Sequence, residues 1–214
     1  MPKYFHYFPS TIYNVDDTKR NVDVVTNILS KFAFEDSFKE NSVVYYEYVV
    51  GDGETPEMLA HKFYGDAEKH WIILSLNDYV NPQTDWPIEQ RSLIKFIDKK
   101  YEEQADTANT GNTGIQWART NIQSYYKIET QIDAFTGQKT VSKYEIDSGT
   151  YANTVTGSTS YTLPGNNIIT ISTTKDMKTY LDYEYDVNEE KRKIKILKPE
   201  FVNVVEQELI KLFE

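Results

Sequence analysis

Apolar positions along the first third of the chain change their period several times, and each change marks an element. From Asn21 to Phe38, the residues Val22, Val25, Ile28, Leu29 and Phe32 recur at steps of three and four. That spacing predicts an amphipathic helix with Asn21 as its N-cap. Val43 to Val50 is a β-branched and aromatic run whose only charge is Glu47, which predicts a strand with much of both faces covered. Gly51-Asp52-Gly53 turns the chain. Thr55 then caps a helix opened by Pro56, whose missing N–H is no loss at the first helical position. Met58, Leu59 and Phe63 form its inner stripe, and Gly65 stops it by taking the left-handed conformation. Asp66 caps the next helix, with Trp71 and Leu74 inward, Ile72 beside them, and Asn77 at its end.

Beyond this unit the pattern coarsens. Asn81-Pro82 reads as a turn, and Pro87 as the start of a helix with Leu93, Ile94, Ile97 and Tyr101 on one side. The polar stretch EEQADTANTGNTG, residues 102–114, reads as a flexible linker or loop tip. The texture then becomes rich in Thr, Ser, Tyr and Asn. IQSYYKIETQI and KTVSKYEI flank a turn at Ala134–Gly137 and predict a hairpin. Residues 150–167 read as loop, while NIITIS, KTYLDYEYDV and KRKIKIL read as strands. Pro199 opens a last helix with Phe201, Val205, Leu209 and Leu212 on its apolar side. At the start, Tyr4, Phe5, Tyr7 and Phe8 form an aromatic arm closed by Pro9. Burying one such side chain fully is worth roughly 1.5–3 kcal/mol, so the arm packs either on its own domain or on a partner. No internal repeat is visible.

The fold class expected is α+β. Residues 1–42 form an arm and helix, and 43–104 a strand-helix-helix module with its following helix. Residues 105–198 form a β-rich insertion, and 199–214 a C-terminal helix.

Composition narrows the functions. The 214 residues carry a net charge of −10, which disfavours a phosphate backbone as main partner. There is no cysteine, which excludes disulfides, thiolate zinc sites and cysteine nucleophiles, and three histidines leave little for a metal centre. The 17 tyrosines suit contact surfaces that must pack and stay wet, or equally the faces of sheets. No stretch approaches the ~20 apolar residues of a membrane span, and the start lacks a signal-peptide core, so synthesis in a cytoplasm is expected. No phosphate loop, dinucleotide fingerprint or serine-hydrolase elbow is present.

Tyr48-Val49-Val50-Gly51-Asp52, then Leu59, Ala60 and Phe63, then Trp71 to Asn77 resemble a LysM module. The variant Tyr64-Gly65-Asp66, Trp71, Asn77-Asp78 and Asn81-Pro82 to Trp86 is more specific. It resembles the LysM-like baseplate wedge subunit of contractile-tailed bacteriophages, and residues 188–213 resemble that subunit's closing strand and helix. The resemblance implies a structural virion protein without catalysis or cofactor. It implies partners among other baseplate wedge proteins, joined late in assembly so that neighbouring wedges clamp into a six-fold ring. LysM glycan binders close with a second strand just after the second helix. Here residues 81–97 lead to another helix, so that strand is absent, displaced or very short.

Two sets of residues follow as candidates. Tyr4, Phe5, Tyr7, Phe8, Asp78, Tyr79 and Trp86 are the expected partner contacts. Gly51, Asp52, Gly53, Glu54, Thr55 and Asn77 occupy the position of a LysM groove. The alternative function is therefore a binding module for peptidoglycan or a related glycan. The structural reading of the groove set is that Asp52 shapes the turn, Thr55 caps one helix and Asn77 ends another. Trp71 reads as core, and His61 and His70 lack a third ligand at zinc spacing. Asp66 with Glu68, or Glu102 with Glu103, would have to serve a hydrolase reading. Both pairs fall where solvated charges are expected rather than across a cleft. Glu189-Glu190 before Lys191-Arg192-Lys193 reads as a mixed-charge strand edge.

Overall fold

The computed structural model describes residues 5, 8–14, 22–28, 30, 33–108 and 111–213. In chain order these form β1 (Ser10–Asn14), β2 (Val22–Thr26), α1 (Asp36–Lys39), β3 (Tyr45–Val49), α2 (Pro56–Tyr64) and α3 (His70–Leu76). There follow α4 (Pro82–Asp85), α5 (Gln90–Lys100), α6 (Glu102–Thr107), α7 (Gly114–Thr120), β4 (Ile122–Asp133) and β5 (Lys139–Ile146). The chain ends with α8 (Ser148–Asn153), β6 (Gly157–Thr162), β7 (Ile168–Thr179), α9 (Tyr180–Lys191), β8 (Lys193–Leu197) and α10 (Pro199–Phe213). The fold is mixed α+β, in two compact units: residues 1–90 with 188–214, and residues 91–187.

In the first unit, β3 pairs antiparallel with β8, with Tyr45 opposite Leu197, Glu47 opposite Lys195 and Val49 opposite Lys193. The strand that pairs with β3 thus comes from more than 140 residues further along the chain. Strand alternation splits the core in two. Leu197 joins Val44, Ile72, Leu76, Val202, Val205 and Leu209, whereas Ile194 and Ile196 join Val50, Leu59, Ala60, Ile73 and Trp86. The intervening helices follow their local signals. Thr55 Oγ1 accepts from the Met58 N–H, and Gly65 ends α2 at φ 72°. Asp66 caps a 3-10 turn, Ala67–Lys69, that leads into α3. Asn81 caps the short helix α4, so the segment read as a bare turn is helical.

Several expectations are corrected. Val22–Thr26 is a strand paired to Ser10–Asn14, not a helix. Its β-branched run overrides the three-and-four spacing. The cap Asn21 and the stripe residues Leu29 and Phe32 lie outside the described residues. β3 is not covered on both faces, since Tyr46 and Val49 are exposed. Met58 and Leu212 are exposed rather than inward, while Ala60, Ile73 and Val202 supply the buried contacts.

In the second unit, β5, β4, β7 and β6 lie in that order in one antiparallel sheet. The predicted hairpin is present, with Tyr125 opposite Ile146 and Ile132 opposite Lys139. KTYLDYEYDV is not a strand: only Lys178 and Thr179 end β7, and the rest lies in α9. The stretch read as a linker holds α6 and the start of α7, and the loop read over 150–167 contains most of α8 and all of β6. Helix α5 begins at Gln90 rather than Pro87, and its Ile94 is partly exposed while Leu93 and Ile97 are buried. Tyr101, Trp117 and Tyr180 cluster with ring centroids 5.1–5.5 Å apart, Tyr101 stacked on Trp117 and Tyr180 tilted against both. Beside them the buried Glu184 accepts from Tyr101 Oη at 2.7 Å and from Lys100 Nζ at 2.6 Å.

Candidate functional site

The turn after β3 is built around two carboxylates, each saturated from within. Glu54 accepts from the Gly51 N–H at 2.7 Å and from Tyr48 Oη at 2.9 and 3.0 Å, with Lys62 Nζ at 3.5 Å. Partial burial opposes its charge, and these donors outweigh that penalty and hold the carboxyl below its ordinary range. Asp52 accepts from Arg192 Nη2 at 3.0 Å and from the Gln90 N–H at 3.1 Å, and the Arg192 bond leads in lowering its pKa. Arg192 also donates to the Val50 carbonyl at 3.1 Å, so the residue just before β8 locks the turn after β3. Gly53 sits at φ 79°, where a side chain would be strained. The Glu54 carbonyl accepts from Trp86 Nε1 at 2.8 Å.

Asn77 behaves as a strand neighbour. Its Nδ2 donates to the Ile73 and Lys195 carbonyls at 2.8 and 2.7 Å, and its Oδ1 accepts from the Lys195 N–H at 2.8 Å. Asn188 does the same for the Ile88 backbone at 2.7 and 3.0 Å. The expected groove residues are therefore placed as follows: Gly51 to Thr55 share one turn, and Asn77 is engaged with α3 and β8.

Of the expected contact residues, Tyr4 and Tyr7 lie outside the described residues. Phe8 is buried against Phe213, with ring centroids 4.9 Å apart, and Phe5 is exposed beside it. Asp78 takes a left-handed φ of 57° and accepts from Lys39 Nζ at 3.0 Å. Lys39 also pairs with Asp36, and these two carboxylates, Asp36 first, raise its pKa. Tyr79 donates from Oη to the Lys191 carbonyl at 3.0 Å and meets Trp86 edge-on. Trp86 is buried in the core, so its place is packing rather than surface.

Sequence reasoning missed the lock that Arg192 makes with Val50 and Asp52, about 140 positions away. It also missed the ion pair of the buried Lys69 with the half-buried Glu206 at 2.9 Å, and an open apolar groove of about 370 Å³ between Phe34, Phe38 and the α10 residues Val204, Val205, Leu209 and Leu212. No local pattern announces contacts of that range. Among the described residues no cluster of three His, Asp or Glu side chains is arranged to hold a metal, and no helix is long and apolar enough to cross a membrane.

No curated protein matches the chain. Residues 3–128, more than half of the chain, match the family described as base plate wedge protein 53. That range includes the arm, β1 to β3, the α2–α3 unit and the helices up to the start of β4, while β8 and α10 lie beyond it. The chain belongs to the base plate wedge protein 53 family of phage structural proteins, and its place is in the baseplate of the tail.

Proposed function

We propose that the protein clamps neighbouring wedges of the baseplate, with a LysM-like module as a rigid peg and no remaining sugar groove. The observation that carries this reading is the internal saturation of the turn. Asp52, Glu54 and Asn77 are the polar groups a glycan would have to engage, and each already holds two or more intramolecular partners. A sugar hydroxyl would gain little by displacing bonds of equal kind. Rigidity at that turn instead serves a protein that must hold larger neighbours in register. Phe5, Asp78 and Tyr79 are the proposed contacts, joined by the apolar groove along α10. The partners are other baseplate wedge proteins in a six-fold arrangement, with no nucleic acid, as the charge of −10 favours. Synthesis belongs in the host cytoplasm and the working site in the virion.

The test is reconstitution of wedges with and without the chain, read by electron microscopy. Wedges are expected to close into rings only when it is present. Normal ring closure in its absence refutes the clamp. Saturable binding to peptidoglycan fragments that weakens in Asp52→Ala and Asn77→Ala refutes the closed groove.

A further inference from the structure

β1 and β2 form a two-stranded ribbon near the start of the described chain. Its only mapped pairing is to itself, Ser10 opposite Thr26 through Asn14 opposite Val22. An isolated two-stranded ribbon is marginal in water. Here the strands also carry large apolar side chains on both sides. The register puts Ile12, Val22 and Val24 on one face and Tyr13 and Val25 on the other. All five are exposed, Ile12 and Val24 by 73% each, and Ile28 just beyond is 66% exposed. A strand that is apolar on both sides is the pattern of a strand covered on both sides. Nothing among the described residues supplies that cover.

Size and charge say what does. Together these six side chains present on the order of 600 Å² of surface, most of the ~800 Å² per partner that a stable protein interface buries. The ten ribbon residues include one charge, Asp23, and no lysine or proline to blunt the outer edges. A second copy would bring another charge of −10 against this chain with no ionic counterpart on the ribbon. We infer that the β1–β2 ribbon is an insertion element that docks into a different protein of the baseplate, at an apolar cleft flanked by a strand edge to which the ribbon adds. The inference rests on membership of the wedge family, not on the clamp between wedges.

The test uses the full chain, co-expressed with the other wedge proteins of its own baseplate. Ile12→Lys and Val24→Lys place a charge on the ribbon face, and Val155→Lys, at an exposed position away from the proposed contacts, is the control. Both ribbon variants should melt as the wild type yet lose incorporation by about thirtyfold or more, the weight of one interface hot spot. Val155→Lys should incorporate normally. Backbone amides of residues 10–14 and 22–26 should exchange rapidly in the free chain and slow by about tenfold or more in the complex. Unslowed exchange overturns the inference even where a variant folds poorly, and so does undiminished incorporation of the ribbon variants. Ribbon-dependent dimerisation of the free chain at micromolar concentration overturns it in favour of a second copy. Failure of ring closure with the ribbon still protected within single wedges would instead count against the clamp.

Discussion

Replacing Asn77 by alanine separates a structural asparagine from a ligand-binding one. The side chain makes three hydrogen bonds of 2.7–2.8 Å, two to the Lys195 backbone and one to the Ile73 carbonyl. Removing it leaves the Lys195 N–H and carbonyl without that partner at a half-buried position in β8. A typical hydrogen bond contributes about 1 kcal/mol net, and a buried group left unpaired costs ~1–3 kcal/mol. Water can reach a half-buried strand in part, so the sum discounts to about 3 kcal/mol. For a unit of this size that corresponds to a melting shift on the order of 10 °C. Urea unfolding followed by tryptophan fluorescence is suited to it, because Trp71 and Trp86 both sit in the cores that β8 completes. The midpoint should fall with an unchanged slope. Asn77→Asp keeps an acceptor for the Lys195 N–H but sets a carboxylate against two carbonyls, which raises its folded pKa. Its deficit should therefore be largest at neutral pH and narrow as pH falls through that raised value. An alanine variant that melts within about 2 °C of wild type would refute the reasoning, and would return Asn77 to the pool of residues free for a ligand.

Two further outcomes follow from close geometry elsewhere. A Cβ on Gly114 would lie 1.9 Å from the Asp98 carbonyl oxygen and 2.9 Å from the Glu102 nitrogen, both backbone atoms. Gly114→Ala should push α7 off α5, cost about 3 kcal/mol, and raise protease sensitivity within residues 91–187 while β3 and β8 stay protected. Asp52 and Glu54 have depressed carboxyl pKa values, so their contribution is present above the unfolded carboxyl range and lost as pH falls through the folded values. Acid should loosen the turn below about pH 4, and Asp52→Asn should flatten that part of the pH profile; an unchanged profile would mean that Arg192 does not lock the turn.

What could be read in the sequence was set by local chemistry. Thr55, Gly65, Asp66 and Asn81 act within three or four positions of themselves, and each does what its residue type dictates. The hairpin of β4 and β5 was legible for the same reason. Helix α9 was not, because its buried stripe is polar: Glu184 and Asn188, four apart, face inward and are paid for by Tyr101, Lys100 and Ile88. With those positions counted as surface, alternating aromatics resemble a strand. The ribbon failed in the opposite way. Apolar residues on both sides of a strand leave no clean period of two, and the spacing of Val22, Val25 and Ile28 mimics a helix. Gly51 to Thr55 form the turn their residue types suggest, and Glu54 is held by near neighbours, but Asp52 and Asn77 are occupied by Arg192 and Lys195, which no local pattern could supply.

That dependence on distant residues has a consequence for how the protein reaches its working form. β3 is an edge until β8 pairs with it, and β8 follows β3 by more than 140 residues. β8 supplies buried side chains to both cores of the first unit, Leu197 to one and Ile194 and Ile196 to the other. A nascent chain that ends before Lys193 therefore exposes Val50, Leu59, Ile73 and Leu76 together. Residues 91–187 carry their own sheet and aromatic cluster and face no such delay. Loop-closure entropy grows only slowly with length, so a compact insertion adds little penalty beyond that of a short loop. The wedge protein should accordingly remain incompetent for assembly until β8 is made. A chain truncated at Val187 should retain the hairpin of β4 and β5 but neither the buried Trp71 nor the locked turn. A truncated chain that still gave native fluorescence from its first unit would show that β8 closes the module without holding it together.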